Sequence, residues 1–401
     1  MRLDHAKKLL LLALSAMFLQ QSFATVGRSL PPIIAPAIFE DLRIDPAWLG
    51  IYVGAQAASA LLFQLGCGSF ILRHGALRMS QVALVLLGLG MALATVGPVL
   101  LFLLSGVIGG GAAAMSTPAS SHLLGHYTPP KRAPLIYAIK QTAVPVGLLA
   151  AGVLGPWLTG LTGWRGTLLI ASAACLIFAV MLQPLRAQFD SDRKPSQSFR
   201  LSDFHRTLTS VLAAPDLRRL AFACFAFNGL QTVFTSYFVV ALTELGHGLA
   251  AAGFVFSMAM VIAVPGRLFW GWLGSGHVEP PMVMCWLALG MAGGTATMAL
   301  LNAQWPLFLI GIVATVLSAT AMSWHGVLLS EASRLADPGQ HGAVTGGVLS
   351  FGQFGGLLLP LVYSGVLIAT GSYGLGFTAS GVPALIVGIV LLRAPRDHEA
   401  R

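Results

Sequence analysis

Charge is the first thing this sequence lacks: Asp, Glu, Lys and Arg make up 9% of its 401 residues, where soluble domains carry roughly a quarter. A water-facing surface of ordinary charge density cannot be built from that supply. The deficit excludes a cytosolic enzyme, a secreted scaffold and a disordered chain together. Cysteine is scarce as well: Cys67, Cys175, Cys224 and Cys285 each stand alone in apolar stretches. No disulfide framework or cysteine metal site is expected, and all read as packing residues. The glycine-rich runs hold no strand-preceded GxGxxG and no phosphate loop, so no cofactor and no ATP-driven work are expected. No clustered His, Asp or Ser constellation suited to catalysis is visible, which argues against an enzyme.

What the chain does have is apolar length, with 56% hydrophobic residues and a mean hydropathy of +0.80. A helix needs about 20 apolar residues to cross the hydrocarbon core. Twelve such stretches can be marked, near 9–36, 48–72, 79–97, 99–124, 134–160, 165–186, 219–243, 250–273, 281–301, 305–330, 343–369 and 374–393. They are far longer than the alternating segments of a membrane barrel, so the expected fold is an all-α integral membrane bundle. Lys7 and Lys8 ahead of an apolar run ending at Ser22-Phe23-Ala24 resemble a signal peptide. The apolar stretch continues past Ala24, however, and a retained first helix is expected.

The net charge of +9 reads as topology, because the bases lie in short loops and form no aromatic-interleaved patch for nucleic acid. With the N-terminus inside, eighteen Lys and Arg fall on the cytoplasmic side and only Arg43 and Arg165 on the other. The expectation is a multi-pass protein of the cytoplasmic (inner) membrane with both termini cytoplasmic, a monomer whose partners are the lipid bilayer and a small-molecule solute. The one long polar stretch, 187–218, divides the spans six and six. The expected organisation is an N-terminal six-helix half (1–186), a cytoplasmic linker (187–218) and a C-terminal six-helix half (219–401).

The halves echo each other. Gly68 to Gly75 follows span two and Gly271 to His277 follows span eight, while Pro129 to Ala133 after span four is matched by Asp337 to Gly342 after span ten. Repeated halves are a common way for secondary transporters to create a site near mid-membrane.

On these residues the chain resembles the major facilitator superfamily over almost its whole length. Gly68, Arg73, Gly75 and Arg78 match the family's Gly-x-x-x-Asp-Arg-x-Gly-x-x-Arg loop, with Leu72 where Asp is usual. Leu101, Gly109 and Ala113 match its span-four pattern, with Ser105 in place of Arg, and Gly155-Pro156 is similar to the core of the antiporter motif. The segments Tyr137 to Gly147 and Trp324 to Arg334 look most like the bacterial cyanate and 2-nitroimidazole transporter group. The resemblance implies two pseudo-symmetric six-helix halves, transport by alternating access, and loop or gating roles for Gly68, Arg73, Gly75, Arg78, Arg267, Glu331 and Arg334.

An ionisable group deep in a span is costly, and so marks a functional candidate. None of the 14 acids falls near the middle of a span, which disfavours a carrier of organic cations. Gln21, Thr25 and Arg28 share one face of span one, where Arg28 either binds a carboxylate or snorkels to the outer interface. Lys140 either binds substrate or snorkels to headgroups, and Gln141 points to a different face. Asn228, Gln231 and Thr235 form a stripe in span seven that is a cavity wall or interhelical glue. Trp324 neighbours His325, which carries a coupling proton or is a neutral packed imidazole.

The expected function is secondary active transport of a small organic or inorganic anion, as symporter or antiporter, with a proton or a counter-anion as coupling partner. The alternatives are a multidrug exporter of neutral or cationic compounds and a non-transporting membrane solute sensor.

Overall fold

In hydrocarbon every backbone N–H and C=O must find its partner inside the segment, which leaves helices for stretches this long. The computed structural model bears this out; it describes residues 2–128, 133–196, 208–209, 211–274, 277–301, 304–335 and 341–393, with no strand among them. The turns at 129–132 and 336–340 and much of the linker lie outside the described residues.

In chain order the helices are α1 (Arg2–Ile33), α2 (Ala35–Leu42), α3 (Leu49–His74), α4 (Ala76–Ala94), α5 (Val99–Ala114), α6 (Ser116–Tyr127), α7 (Ala133–Gln141), α8 (Ala143–Met181) and α9 (Arg186–Phe189). Beyond the linker follow α10 (Pro215–Glu244), α11 (Leu249–Gly274), α12 (Pro280–Met298), α13 (Leu307–Ala321), α14 (His325–Arg334), α15 (His341–Thr370) and α16 (Tyr373–Arg393).

Eleven segments of the described residues are long and apolar enough to cross a membrane, against the expected twelve. The difference lies in Ile139–Phe189, 51 residues in one segment. Inside it Gly163 adopts φ 70, ψ 170 and breaks α8 in two. The fifth and sixth expected spans are therefore both present, joined through a residue that only glycine occupies readily.

Contacts gather the chain into two compact units, 1–206 with 235–261, and 207–234 with 262–401. The second half of α10 and the first half of α11 thus pack with the first unit, so packing and the six-plus-six repeat partition this stretch differently. In the first unit α1 and α4 lie along α8, and α3 and α4 along α5. Ser172 Oγ, for example, donates to Gly88 O at 2.7 Å. In the second, α12 lies along α16, where Cys285 Sγ reaches Gly388 O at 3.3 Å. All four cysteines are buried free thiols.

The loop before α4 is organised by a carboxylate from far along the chain. Gly75 has φ +98, and Asp190, just past α9, accepts from the N–H groups of Leu77 at 2.8 Å and Arg78 at 3.0 Å. Asp190 so occupies the orphan donors at the start of α4. A Cβ on Gly75 would land on that carboxyl group. The resemblance leaves Leu72 where an acid is usual, and the carboxylate that engages this loop is Asp190. Arg73 and Arg78 are exposed, and a Cβ added at Gly68 would meet no described atom within 4 Å beyond its own helix and chain neighbours.

A second tie joins α2 to the Gly163 break. Asp41 Oδ2 accepts from Arg165 at 2.7 Å and from the Trp164 indole at 3.2 Å, while the Arg165 guanidinium lies 4.3 Å from the Trp164 ring centre. The Arg165 and Trp164 donors hold the Asp41 carboxyl below its usual range. A depressed carboxyl contributes stability above its unfolded value and loses it as pH falls through the folded one. Asp41→Asn should therefore lower the unfolding temperature slightly at pH 7. In thermal scans the gap to the wild type should close below about pH 4; a gap that persists there would show the carboxylate is not the cause.

Candidate functional site

Pro118 has no N–H to donate to the Ala114 carbonyl, and its ring crowds that position. The fourth apolar segment, Val99–Tyr127, accordingly loses one helical hydrogen bond at Met115, between α5 and α6, while Met115 itself keeps helical dihedrals at φ −73, ψ −21. Two glutamines of α1 meet the start of α6. Gln20 Nε2 donates to Ser116 Oγ at 2.9 Å, and Gln21 Oε1 accepts from Thr117 Oγ1 at 3.1 Å.

The same Gln21 oxygen accepts from Lys140 Nζ at 3.2 Å. Lys140 is the penultimate residue of α7 and is 0% exposed, so it is buried and does not snorkel to headgroups. A close approach places it there: Gly147 of α8 lies so near α1 that a Cβ would meet Ser22 O and the Thr25 side chain. Ser22 Oγ also reaches Ala143 O at 3.3 Å. Thr25, buried on the same face, returns its hydroxyl to Gln21 O at 2.8 Å.

Arg28 is half-buried within the last two turns of α1, which continues through Pro31 and Pro32 to Ile33. Its carbonyl accepts from Gln56 Nε2 at 3.2 Å, and its guanidinium makes no ion pair among the described residues. The first unit therefore brings Gln21, Thr25 and Lys140 together and sets Arg28 further along the same helix. Gln141 is half-buried beside Lys140.

The second unit repeats the arrangement. Leu307–Ala332 is interrupted at Met322–Trp324, between α13 and α14. Trp324, wholly buried, donates its indole N–H to Gln231 Oε1 of α10 at 2.9 Å. It packs on Phe227 at 6.0 Å and on the His325 ring at 3.6 Å between centroids. His325 opens α14, and its Nδ1 is buried with no hydrogen-bond partner among the described residues. Arg267 Nε donates to Met322 O at 2.6 Å, and the Trp270 indole donates to Ala319 O at 2.9 Å. Arg267 thus caps the carbonyl end of α13. Asn228 is packing: its amide donates to Gly352 O of α15 at 2.6 Å. Glu331 is buried and held bidentately by Arg334 on the same helix, at 2.7 and 2.8 Å.

In each half, then, a glutamine of the first span meets the point where the fourth is interrupted, by one lost hydrogen bond at Met115 and by a full turn out of the helix at Met322–Trp324. Interrupted spans in corresponding positions of the two halves point to a transporter's binding site. Sequence reasoning missed Gln20, Ser116 and Thr117, although a signal was present: Ala114-Met115-Ser116 recurs as Ala321-Met322-Ser323, at the break in both halves.

Comparison with known proteins bears on the family and the fold. The family model described as Major Facilitator Superfamily matches residues 17–360. Rat (Rattus norvegicus) monocarboxylate transporter 13 is 25% identical over 370 residues, covering 90% of this chain and 82% of that protein. The 4-hydroxybenzoate transporter PcaK of Pseudomonas aeruginosa is 32% identical over 154 residues, 37% of this chain and 34% of that one. Among solved structures, a bacterial homolog of the human lysosomal transporter Spinster, in an inward-facing and unoccupied conformation, superposes with a TM-score of 0.72. It shares 15% identity, over 96% of this chain and 95% of that one, a likeness of fold. The cyanate and 2-nitroimidazole group is not among these similarities.

Proposed function

This chain belongs to the Major Facilitator Superfamily, and on that premise we propose that it is a gradient-driven secondary transporter of a small organic monocarboxylate. The carrying observation is Lys140, an ammonium with no exposed surface, hydrogen-bonded to a neutral amide at the α5–α6 break. A buried cation inside a membrane span is costly and is kept where it serves an anion or an ion path. Arg28 adds a second positive charge on the helix that carries Gln21. The names of two relatives, a monocarboxylate transporter and a 4-hydroxybenzoate transporter, support the same substrate class. The eighteen-to-two distribution of Lys and Arg supports cytoplasmic termini. The recurrence of Ala-Met-Ser where the fourth and tenth spans are interrupted supports a six-plus-six repeat about the linker at 187–218.

The test is uptake into proteoliposomes of radiolabelled lactate, benzoate and 4-hydroxybenzoate, beside inorganic phosphate, a neutral sugar and tetraethylammonium. At least one monocarboxylate should enter well above empty liposomes. It should also raise the unfolding temperature by mass action, a shift reduced in Arg28→Ala. Movement of tetraethylammonium or the sugar with no carboxylate moved would overturn the reading.

A further inference from the structure

Outside the paired breaks, one titratable cluster lies where α6 ends. His122 and His126 are one helical turn apart on α6, and their Nε2 atoms converge on the same oxygen, Asp192 Oδ2, at 2.8 and 2.9 Å. The two rings stand edge to face, 4.9 Å between centroids. All three donor atoms lie within 4.8 Å of one another. We propose that His122, His126 and Asp192 form a binding site for a borderline-soft divalent transition metal, Zn2+ being the best fit, which fastens the end of α6 to the segment following α9.

The donor set selects the ion. Two imidazoles and one carboxylate suit Zn2+, Ni2+ or Co2+, whereas Mg2+ and Ca2+ prefer all-oxygen shells. Histidines at i and i+4 on one helix face are a recurrent zinc-binding geometry. Bonds of about 2.0–2.2 Å set tetrahedral ligand atoms about 3.3 Å apart. The observed N···O separations need open only by about half an ångström to admit the ion, within reach of side-chain rotation. In the metal-free state each Nε2 facing the carboxylate is a hydrogen-bond donor. On binding, each neutral ring moves that proton to Nδ1 and offers its Nε2 lone pair, and Asp192 binds as carboxylate. Three protein ligands leave a fourth position for water or an external ligand.

The carboxylate arm is held in place before any ion arrives. Asp190 caps α4 through the Leu77 and Arg78 N–H groups. The Lys194 N–H donates to Leu72 O at 2.7 Å, and Phe189 meets Tyr127 edge to face at 5.3 Å. Asp192 lies inside that fastened stretch, so binding costs little ordering. His122 is 26%, Asp192 30% and His126 51% exposed, which gives an ion a path in from solvent. The site does not depend on the transport reading.

The experiment uses the detergent-purified full chain, affinity tag removed, with Zn2+ and Co2+ as probes and Mg2+ as control. Competition against a chromophoric chelator should show one tight Zn2+ per chain. Co2+ should produce visible d–d bands, and Zn2+ but not Mg2+ should raise the unfolding temperature. The His122→Gln/His126→Gln pair should weaken Zn2+ at least about 30-fold, and Asp192→Asn by a smaller factor, with unfolding in EDTA as the check on folding. Should the double variant not fold, Asp192→Asn with the cobalt spectrum carries the comparison. Zinc uptake unchanged in the variants, or none by the wild type, overturns the site.

Discussion

Lys140→Met should reduce carboxylate uptake by about 100-fold or more while leaving the unfolding temperature of the ligand-free protein within a few degrees of wild type. Removing one partner from a buried, charge-assisted contact costs about 2–5 kcal/mol, which is about 30-fold to several thousand-fold in affinity. The ligand-free protein follows a different balance, because the methionine removes an ammonium that is wholly desolvated and fills much of its volume with an apolar chain. Gln21 Oε1 still accepts from Thr117, so the α5–α6 break keeps one of its ties. Lys140→Arg retains the charge in a planar fork and should recover part of the flux. Uptake by Lys140→Met at the wild-type rate would remove the lysine from the substrate path. A large loss of thermal stability with unchanged substrate affinity in the folded fraction would make it a packing residue.

Gly75→Val should have the largest effect on stability, lowering it by about 2–5 kcal/mol. Two costs combine. The backbone at φ +98, ψ 149 lies in a region essentially reserved for glycine, where another residue costs about 1–3 kcal/mol. The new side chain must also displace the Asp190 carboxylate, leaving the donors of Leu77 and Arg78 without their acceptor at a further cost of about 1–2 kcal/mol. Asp190→Asn isolates the second cost and should show only that smaller loss. Thermal unfolding in detergent measures both, and a Gly75→Val protein as stable as wild type would refute the account of this loop.

Much of the fold was readable without coordinates. A membrane span is a local property, about 20 apolar residues in a row, and so is legible in the sequence alone. The span count differs, eleven segments for twelve expected, because the turn at Gly163 is so tight that the fifth and sixth spans run on as one helical segment. The site was legible only in part. Gln21, Lys140, Gln231, Trp324 and His325 were recognisable as polar groups in apolar surroundings. Which of them meet was not: Lys140 and Gln21 are 119 residues apart and Trp324 and Gln231 are 93 apart. Asn228 shares a helix face with Gln231 in sequence, yet its amide is spent on the α15 backbone.

The sequence by itself determined that this chain is a polytopic helical membrane protein with two similar halves, positive charge in its loops and no acid in mid-span. Those properties follow from composition and period, because lipid rewards apolar length and internally bonded backbone whatever the neighbouring helices do. Only the tertiary structure decided that Lys140 turns inward onto Gln21, that Asp190 supplies the carboxylate for the loop at Gly75, and that Asp192 meets two histidines of α6. Each of these depends on where a distant segment crosses. That is set by close helix packing, such as Gly147 of α8 against Ser22 and Thr25 of α1, and packing between distant segments leaves no periodic trace in the sequence of either one.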